Sequence, residues 1–258
     1  VLGASASIFA QDTRPAHSVT PWSHDSSDLE VDGRIHYGSF KNGMRFAWAD
    51  LPKPEDRVYL RLHVDAGSFA ETDSQAGMAH FLEHMAFNGS DNFPAGTLIE
   101  WFQDHGMSFG ADTNAHTAFS ETVYKLDLPN RDEKTLREGM LVMSDFAKGM
   151  TISDNEVQSE KGVIDGEQRE RDSAGYRVLV QGLERQYKGT LLAKRLPIGT
   201  KPVRDAFTGE SVREFYTKWY RPENMTMVIV GDLRGYNPED LIAEFFEGFA
   251  GPGTAVAN

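Results

Sequence analysis

His80 and His84 stand four residues apart, with Glu83 just before the second, and no other residues in this sequence are better placed for chemistry. On a helix, positions i and i+4 lie about one turn apart on one face, so both imidazoles can reach a single metal ion. Glu83 follows His80 by three residues, near the same face but displaced around it, which leaves a carboxylate beside the ion. Such a carboxylate can take a proton from water at a divalent metal, the chemistry of metal-assisted hydrolysis. The order His-x-x-Glu-His inverts the commoner His-Glu-x-x-His zinc motif and supports the same reaction. The competing reading is a polar helix with two half-buried histidines. Against it, Gly77-Met78-Ala79 before the motif and Met85-Ala86-Phe87 after it make the segment largely apolar. Imidazoles and a carboxylate are costly to bury there without partners.

Zinc held by two histidines needs at least one further protein ligand and an open position for water. The chain has no cysteine, so thiolate zinc sites, disulfides and a cysteine nucleophile are excluded and the missing ligand points to a carboxylate. With 39 acidic residues in the chain, spacing alone does not choose one. Ser153 reads as an N-cap, with Glu156 three residues on completing a capping box. On the helix that follows, Glu160 and Glu167 are seven apart, two turns along one face. They face the metal or they are solvated surface carboxylates in a charged stretch with Lys161, Arg169, Glu170 and Arg171. Physics alone leaves both open.

The elements that must position these residues are partly readable. Regular structure is expected from Ile35, and Asn42-Gly43 between two strand-like runs predicts a hairpin with a type I′ turn. Val58, Leu60, Leu62 and Val64 alternate with polar residues, as in a strand with one buried face. The motif helix follows a polar turn, and a second helix covers residues 97–104, stopped by Gly106. Residues 108–128 read as extended, with an alternating finish at 122–126. Helical spacing recurs over 131–148, from 153 past 169, and around 177–187 and 211–220. Residues 225–230 read as a buried strand, and Pro238 starts a last helix through Phe246. Strands and helices mix without regular βα alternation, which favours α+β.

Bulk properties narrow the function classes. At 258 residues there is length for one large domain or two small ones. No apolar run approaches the roughly 20 residues that span a bilayer, so no membrane span is expected. A net charge of -13 argues against a nucleic-acid-binding surface, which needs clustered Lys and Arg. An acidic surface suits cationic substrates, although it more often serves solubility. Residues 1–11 read equally as the end of a secretory signal or as an unstructured leader. The first reading implies a periplasmic or secreted protein. Residues 12–34 read as an extended lead-in, and Gly251-Pro252-Gly253 as a linker at a domain boundary.

The segment Gly-Met-Ala-His-Phe-Leu-Glu-His-Met-Ala-Phe-Asn-Gly-Ser around 80–84 resembles the zinc site of the pitrilysin/insulinase (M16) metallopeptidases, which include the mitochondrial processing peptidases. Residues 160–167 resemble the downstream Glu-x6-Glu element, Pro197-Ile198-Gly199-Thr200 a turn of that family, and residues 220–232 its late strand. Together these span about residues 35–250. The resemblance implies a mixed, mostly antiparallel sheet with helices packed on one face. It implies one zinc ion held by His80, His84 and Glu167, Glu83 as catalytic base, and Glu160 supporting the site without binding metal. The interval from His84 to Glu167 is longer than in the best-known members, which implies an insertion near 88–96 or 129–153.

Asn114-Ala115-His116-Thr117 resembles the edge strand on which that family binds peptide, so Asn114 and Ala115 are expected to contact substrate through backbone hydrogen bonds. His105 and His116 lack a partner at ligand spacing and are expected to be surface or hydrogen-bonding residues. The resemblance covers only the first, zinc-bearing domain of a two-half enzyme, here residues 35–258, after the leader segment 1–34. An Arg and a Tyr that engage substrate from the opposing half have no counterpart. The implied partners are a peptide or small protein substrate and a C-terminal homologous half, in cis or as a separate subunit. The function so implied is zinc-dependent endopeptidase, with a non-catalytic structural subunit of the same fold as the alternative. A metallohydrolase of non-peptide substrates is a distant third.

Overall fold

The computed structural model describes residues 21–250. The signal or leader reading of residues 1–11 and the linker reading of Gly251-Pro252-Gly253 fall outside the described residues. One 3-10 turn, Ser23–Ser26, interrupts the expected extended lead-in, and the sheet begins with β1 (His36–Ser39) and β2 (Arg45–Asp50), the hairpin expected at Asn42-Gly43. Its turn is not type I′, because of the two central residues only Gly43 has a positive φ, 91°. Gly43 N–H donates to Phe40 O at 3.0 Å and Phe40 N–H to Met44 O at 2.9 Å, a turn over Lys41-Asn42 closed by a glycine bulge. The Asn42 amide is used elsewhere, donating to Phe246 O and Phe249 O at 2.9 Å each.

The remaining strands are β3 (Val58–Val64), β4 (Thr113–Thr117), β5 (Thr122–Leu128) and β6 (Met225–Gly231). The sheet order is β1-β2-β6-β3-β5-β4, antiparallel throughout except for the parallel pair β2–β6. This is the mixed, mostly antiparallel α+β arrangement expected. In β3 and β5 alternate residues are buried, Val58, Leu60, Leu62 and Val64 on one and Thr122, Tyr124, Leu126 and Leu128 on the other. That two-residue period gives the sheet one apolar face.

In chain order the helices are α1 (Met78–Met85), α2 (Thr97–Asp104), α3 (Glu133–Lys148), α4 (Asp154–Arg171), α5 (Ala174–Gln186), α6 (Lys201–Asp205), α7 (Gly209–Trp219) and α8 (Pro238–Phe246). Helix α3 lies on β3 and β5 and buries Leu136, Met140, Met143 and Ala147, the residues whose spacing predicts it. Helix α1 packs against β4, α4 and α7. Ser153 caps α4 as expected, accepting the Glu156 N–H at 3.3 Å. Helix α5 buries none of its residues, although it carries Val178, Leu179, Val180 and Leu183.

Two contacts fix where α1 begins. Glu71, 6% exposed, accepts Gly77 N–H on Oε2 and Ala79 N–H on Oε1, both at 2.9 Å. The Glu71 carboxyl satisfies donors that the first turn leaves unpaired, while burial, outweighing those bonds, pushes its pKa up to about 8. The turn at 197–199 presses backbone against backbone behind it. A Cβ on Gly199, whose φ is 63°, would lie 2.3 Å from Ala76 O and 2.5 Å from Gly77 Cα. Gly199→Ala should therefore destabilise the chain by at least about 2 kcal/mol. Gly182→Ala, in α5 with open space at its Cβ, should be neutral or stabilising by up to about 1 kcal/mol. Urea unfolding of both variants beside the parent measures this, and equal losses would refute the close-approach argument.

Candidate metal centre

Helices α1 and α4 run in opposite directions, so His80, early in α1, faces Glu167, late in α4, and His84 faces Glu160. His80 is 6% exposed and its Nε2 lies 3.4 Å from Glu167 Oε2. His84 Nε2 lies 3.6 Å from the same oxygen. One donor atom from each of His80, His84 and Glu167 lies within 4.8 Å of the other two, the one such group of three among the described residues. A tetrahedral zinc with bonds of about 2.0–2.1 Å sets its donor atoms about 3.3–3.4 Å apart. Glu167 Oε2 is buried without a hydrogen-bond partner, although it points between two imidazole nitrogens. Buried oxygens are rarely left so, and a cation there would satisfy it. The donor set thus fits a divalent ion such as zinc.

Glu160, 7% exposed, turns to the other side of His84. Its Oε1 is 2.6 Å from His84 Nδ1, and its Oε2 accepts the Asn88 amide at 2.6 Å. A carboxylate on Nδ1 fixes the tautomer and turns Nε2 toward Glu167. Glu83, 7% exposed, accepts the Thr117 hydroxyl on Oε2 at 2.6 Å. Arg171, one turn beyond Glu167, pairs with its Oε1 at 2.5 Å.

The electrostatics separate the two histidines. Burial, with the positive charges of His84, Arg171 and Arg204 nearby, holds His80 down to about 3. Burial also opposes charge on His84, but the hydrogen bond and charge of Glu160, aided by Glu83 and Glu167, outweigh it and raise its pKa. Burial pushes the Glu83 carboxyl up, against the Thr117 hydrogen bond and the charge of His84. A buried carboxyl poised above its ordinary range is suited to accept and later return a proton.

These groups line a cleft of about 770 Å³ whose apolar wall includes Phe87, Ile99, Phe109, Val163, Leu196 and Ile198. Asn114 and Ala115 line it from β4, which pairs only with β5 among the described strands and so leaves one edge open. The Ala115 N–H is taken by Asn114 Oδ1 at 2.9 Å. His105 Nδ1 lies 2.8 Å from Trp101 O, and His116, which lines the cleft from β4, has Nε2 3.6 Å from Glu121 Oε1; neither belongs to the group of three donors. Sequence reasoning missed Thr117, Asn88, Arg171 and Glu71. Only Arg171 carried a signal, its i+4 spacing from Glu167 on one helix.

Residues 49–195 match the family model for insulinase, peptidase family M16, and residues 206–256 match the M16 inactive-domain model. The chain belongs to the M16 (insulinase) peptidase family. It is 36% identical over 208 residues to the probable zinc protease PqqL of Haemophilus influenzae, an alignment covering 81% of this chain and 22% of that protein. The crystal structure of the periplasmic protease PqqL from Escherichia coli matches with a TM-score of 0.83 and 34% identity, over 89% of this chain and 25% of that one. The ferredoxin protease FusC, solved in complex with Arabidopsis ferredoxin, matches with a TM-score of 0.79 and 26% identity, over 87% of this chain and 25% of that one. The chain therefore spans about a quarter or less of these relatives. Because β6 sits between β2 and β3, the segment matched from residue 206 is built into the same sheet as the first.

The opposite displacements of the two imidazoles can be measured. In an NMR titration of the metal-free protein, His84 should titrate above its ordinary 6.5 while His80 stays neutral down to about 3. Glu160→Gln removes the charge that favours His84 protonation and leaves burial dominant, so the His84 midpoint should fall. Protons and a metal compete for His84 Nε2, so metal retention should weaken as pH falls through that midpoint. A His84 midpoint unmoved by Glu160→Gln would refute the assignment of its cause.

Proposed function

We propose that this chain is the metal-bearing part of a zinc endopeptidase, with His80, His84 and Glu167 holding the ion and Glu83 acting as general base. The observation that carries this reading is the unpartnered Glu167 Oε2 between two imidazole nitrogens, at the edge of a cleft that also holds Glu83. Membership of a peptidase family whose relatives are named zinc proteases supports it. Zinc at this position would polarise the scissile carbonyl and make nearby water more acidic.

Glu83 takes a proton from the attacking water and passes it to the leaving amine. Its Thr117 hydrogen bond holds one oxygen and leaves Oε1 for the water. Glu160 holds His84 by Nδ1 and leaves Nε2 for the ion. A substrate adds as a strand along β4, where its backbone replaces the Asn114 side chain at the Ala115 N–H. Main-chain recognition of this kind admits varied side chains, and the apolar cleft wall receives some of them.

On the cleft wall Phe109 and Val163 are 58% and 55% exposed, and α5, which brings Tyr176 to that wall, leaves Val178 70% and Leu179 56% exposed. We take a C-terminal homologous half, in cis or as a separate subunit, to complete the enclosure around a peptide or small protein substrate. A periplasmic or secreted location accords with the periplasmic E. coli relative. No helix among the described residues is long and apolar enough to cross a membrane.

Glu83→Gln should keep zinc but lose turnover by at least about 100-fold, whereas Glu167→Gln should lose zinc itself and Glu160→Gln should weaken it less. Elemental analysis beside peptide-cleavage rates tests all three. A zinc-loaded Glu83→Gln protein with substantial turnover would sink the general-base role.

Residues 1–258 alone should bind zinc yet cleave peptides poorly, because loose positioning of the scissile bond costs many orders of magnitude. Adding the C-terminal half should restore chelator-sensitive cleavage. Full activity without that half would show that one wall of the cleft suffices.

A further inference from the structure

We infer that Arg171 is a positioning residue that makes Glu167 a one-oxygen metal ligand. The inference rests on the reading of His80, His84 and Glu167 as ligands and adds a residue that the reading does not use. The two oxygens of Glu167 have different surroundings. Oε1 is held by Arg171 at 2.5 Å, one turn along the same helix. Oε2 is buried, lacks a hydrogen-bond partner, and lies 3.4 Å from His80 Nε2 and 3.6 Å from His84 Nε2. With Oε1 turned to Arg171, Oε2 is the oxygen presented to the two imidazole nitrogens.

That difference bears on the reaction. A carboxylate that swings both oxygens onto a metal fills a further coordination position. A catalytic zinc site keeps three protein ligands and an open position for water, so a one-oxygen carboxylate is what the chemistry requires. Arginine suits the task because its guanidinium stays charged at every relevant pH and here lies against Oε1 at 2.5 Å. The Glu-to-Arg spacing of four residues holds both side chains on one face of α4, next to the cleft that Arg171 lines. The Arg171 side chain is 55% exposed, and ion pairs at such sites contribute little to folding. Its effect is therefore expected on the ligand's orientation, with the fold unchanged.

The test is made in the whole polypeptide, loaded with zinc, by comparing Arg171→Met and Arg171→Lys with the parent. Chelator competition measures the zinc dissociation constant, and X-ray absorption measures the number of oxygen and nitrogen neighbours. Arg171→Met should weaken zinc binding by about 10-fold or more, as loss of an outer partner of a ligand does, and should raise the neighbour count. Arg171→Lys keeps a charged donor and should recover much of the loss. The unfolding midpoint of the metal-free protein should not move. Unchanged affinity and neighbour count in Arg171→Met would overturn the inference, as would a shifted unfolding midpoint with unchanged coordination. His80→Ala and Glu167→Gln serve as the separate arm. If neither weakens zinc binding, the ligand reading fails and this inference with it, whereas if both do and Arg171→Met does not, only the role of Arg171 is lost.

Discussion

The structure turns on the contact between two antiparallel helices, one of which buries polar groups that the other must satisfy. Helix α1 has only eight residues, and seven of them are buried, His80 and Glu83 included. An eight-residue helix is marginal by itself, so its position comes from what it packs against. Helix α4 brings Glu160 and Glu167 to the two imidazoles, seven residues apart and hence on one face. Three carboxylates thus converge where Arg171 and His84 supply the positive charge, His80 being held neutral by burial. Like charges held so close in a poorly solvated place favour a cation between them. The same imbalance that would weaken an ordinary core suits this one to hold a cation.

The surrounding structure braces that contact from several directions. Glu71 holds the start of α1, and the turn at 197–199 backs it. Arg204, 1% exposed, joins that turn to α4, donating through Nη1 to Ile198 O at 2.7 Å and through Nη2 to Asp165 and Gln168 at 2.8 and 2.6 Å. Asp165 and Gln168 flank Glu167 in sequence, so this one guanidinium couples the third proposed ligand to the element behind the first two. On the other side, β4 delivers Thr117 to Glu83 because its pairing with β5 runs to the end of the strand at Thr117–Thr122. A site held within a fraction of an ångström needs such outer contacts, since its inner residues alone leave too much rotamer freedom.

Much of this was legible in the sequence, and the boundary between what was and was not follows physical range. The i+4 histidines, the Ser153 cap and the alternation of β3 are local patterns, and each appears where its spacing predicts. The hairpin at residue 42 was legible but its turn was not. The Asn42 side chain donates to carbonyls of α8 and the segment after it, some two hundred residues on, and no short-range rule contains that bond. Residues 160 and 167 had the right spacing to share a face, but only the direction of α4 across α1 decides that Glu167 meets both Nε2 atoms and Glu160 meets Nδ1. Thr117, Asn88 and Glu71 were invisible for the same reason. Each acts through a hydrogen bond whose partner is fixed by tertiary packing, and their own residue types are common in turns and strand ends.

The division between local and long-range contacts also bears on why the donor set is complete while the enclosure is not. All three proposed ligands, the proposed base and the groups paired directly with them come from residues 80–171, and Arg204 and the turn at 197–199 brace them from behind. Excluding water and gripping an extended peptide make a different demand. They require surface on both sides of the substrate, and here Phe109, at 58% exposed, and Val163, at 55%, stand on the cleft wall with their apolar area uncovered. Apolar area of that extent beside a reactive centre is stabilised when something covers it. The donor set is thus assembled within one sheet and its helices, while the apolar wall beside it stays exposed.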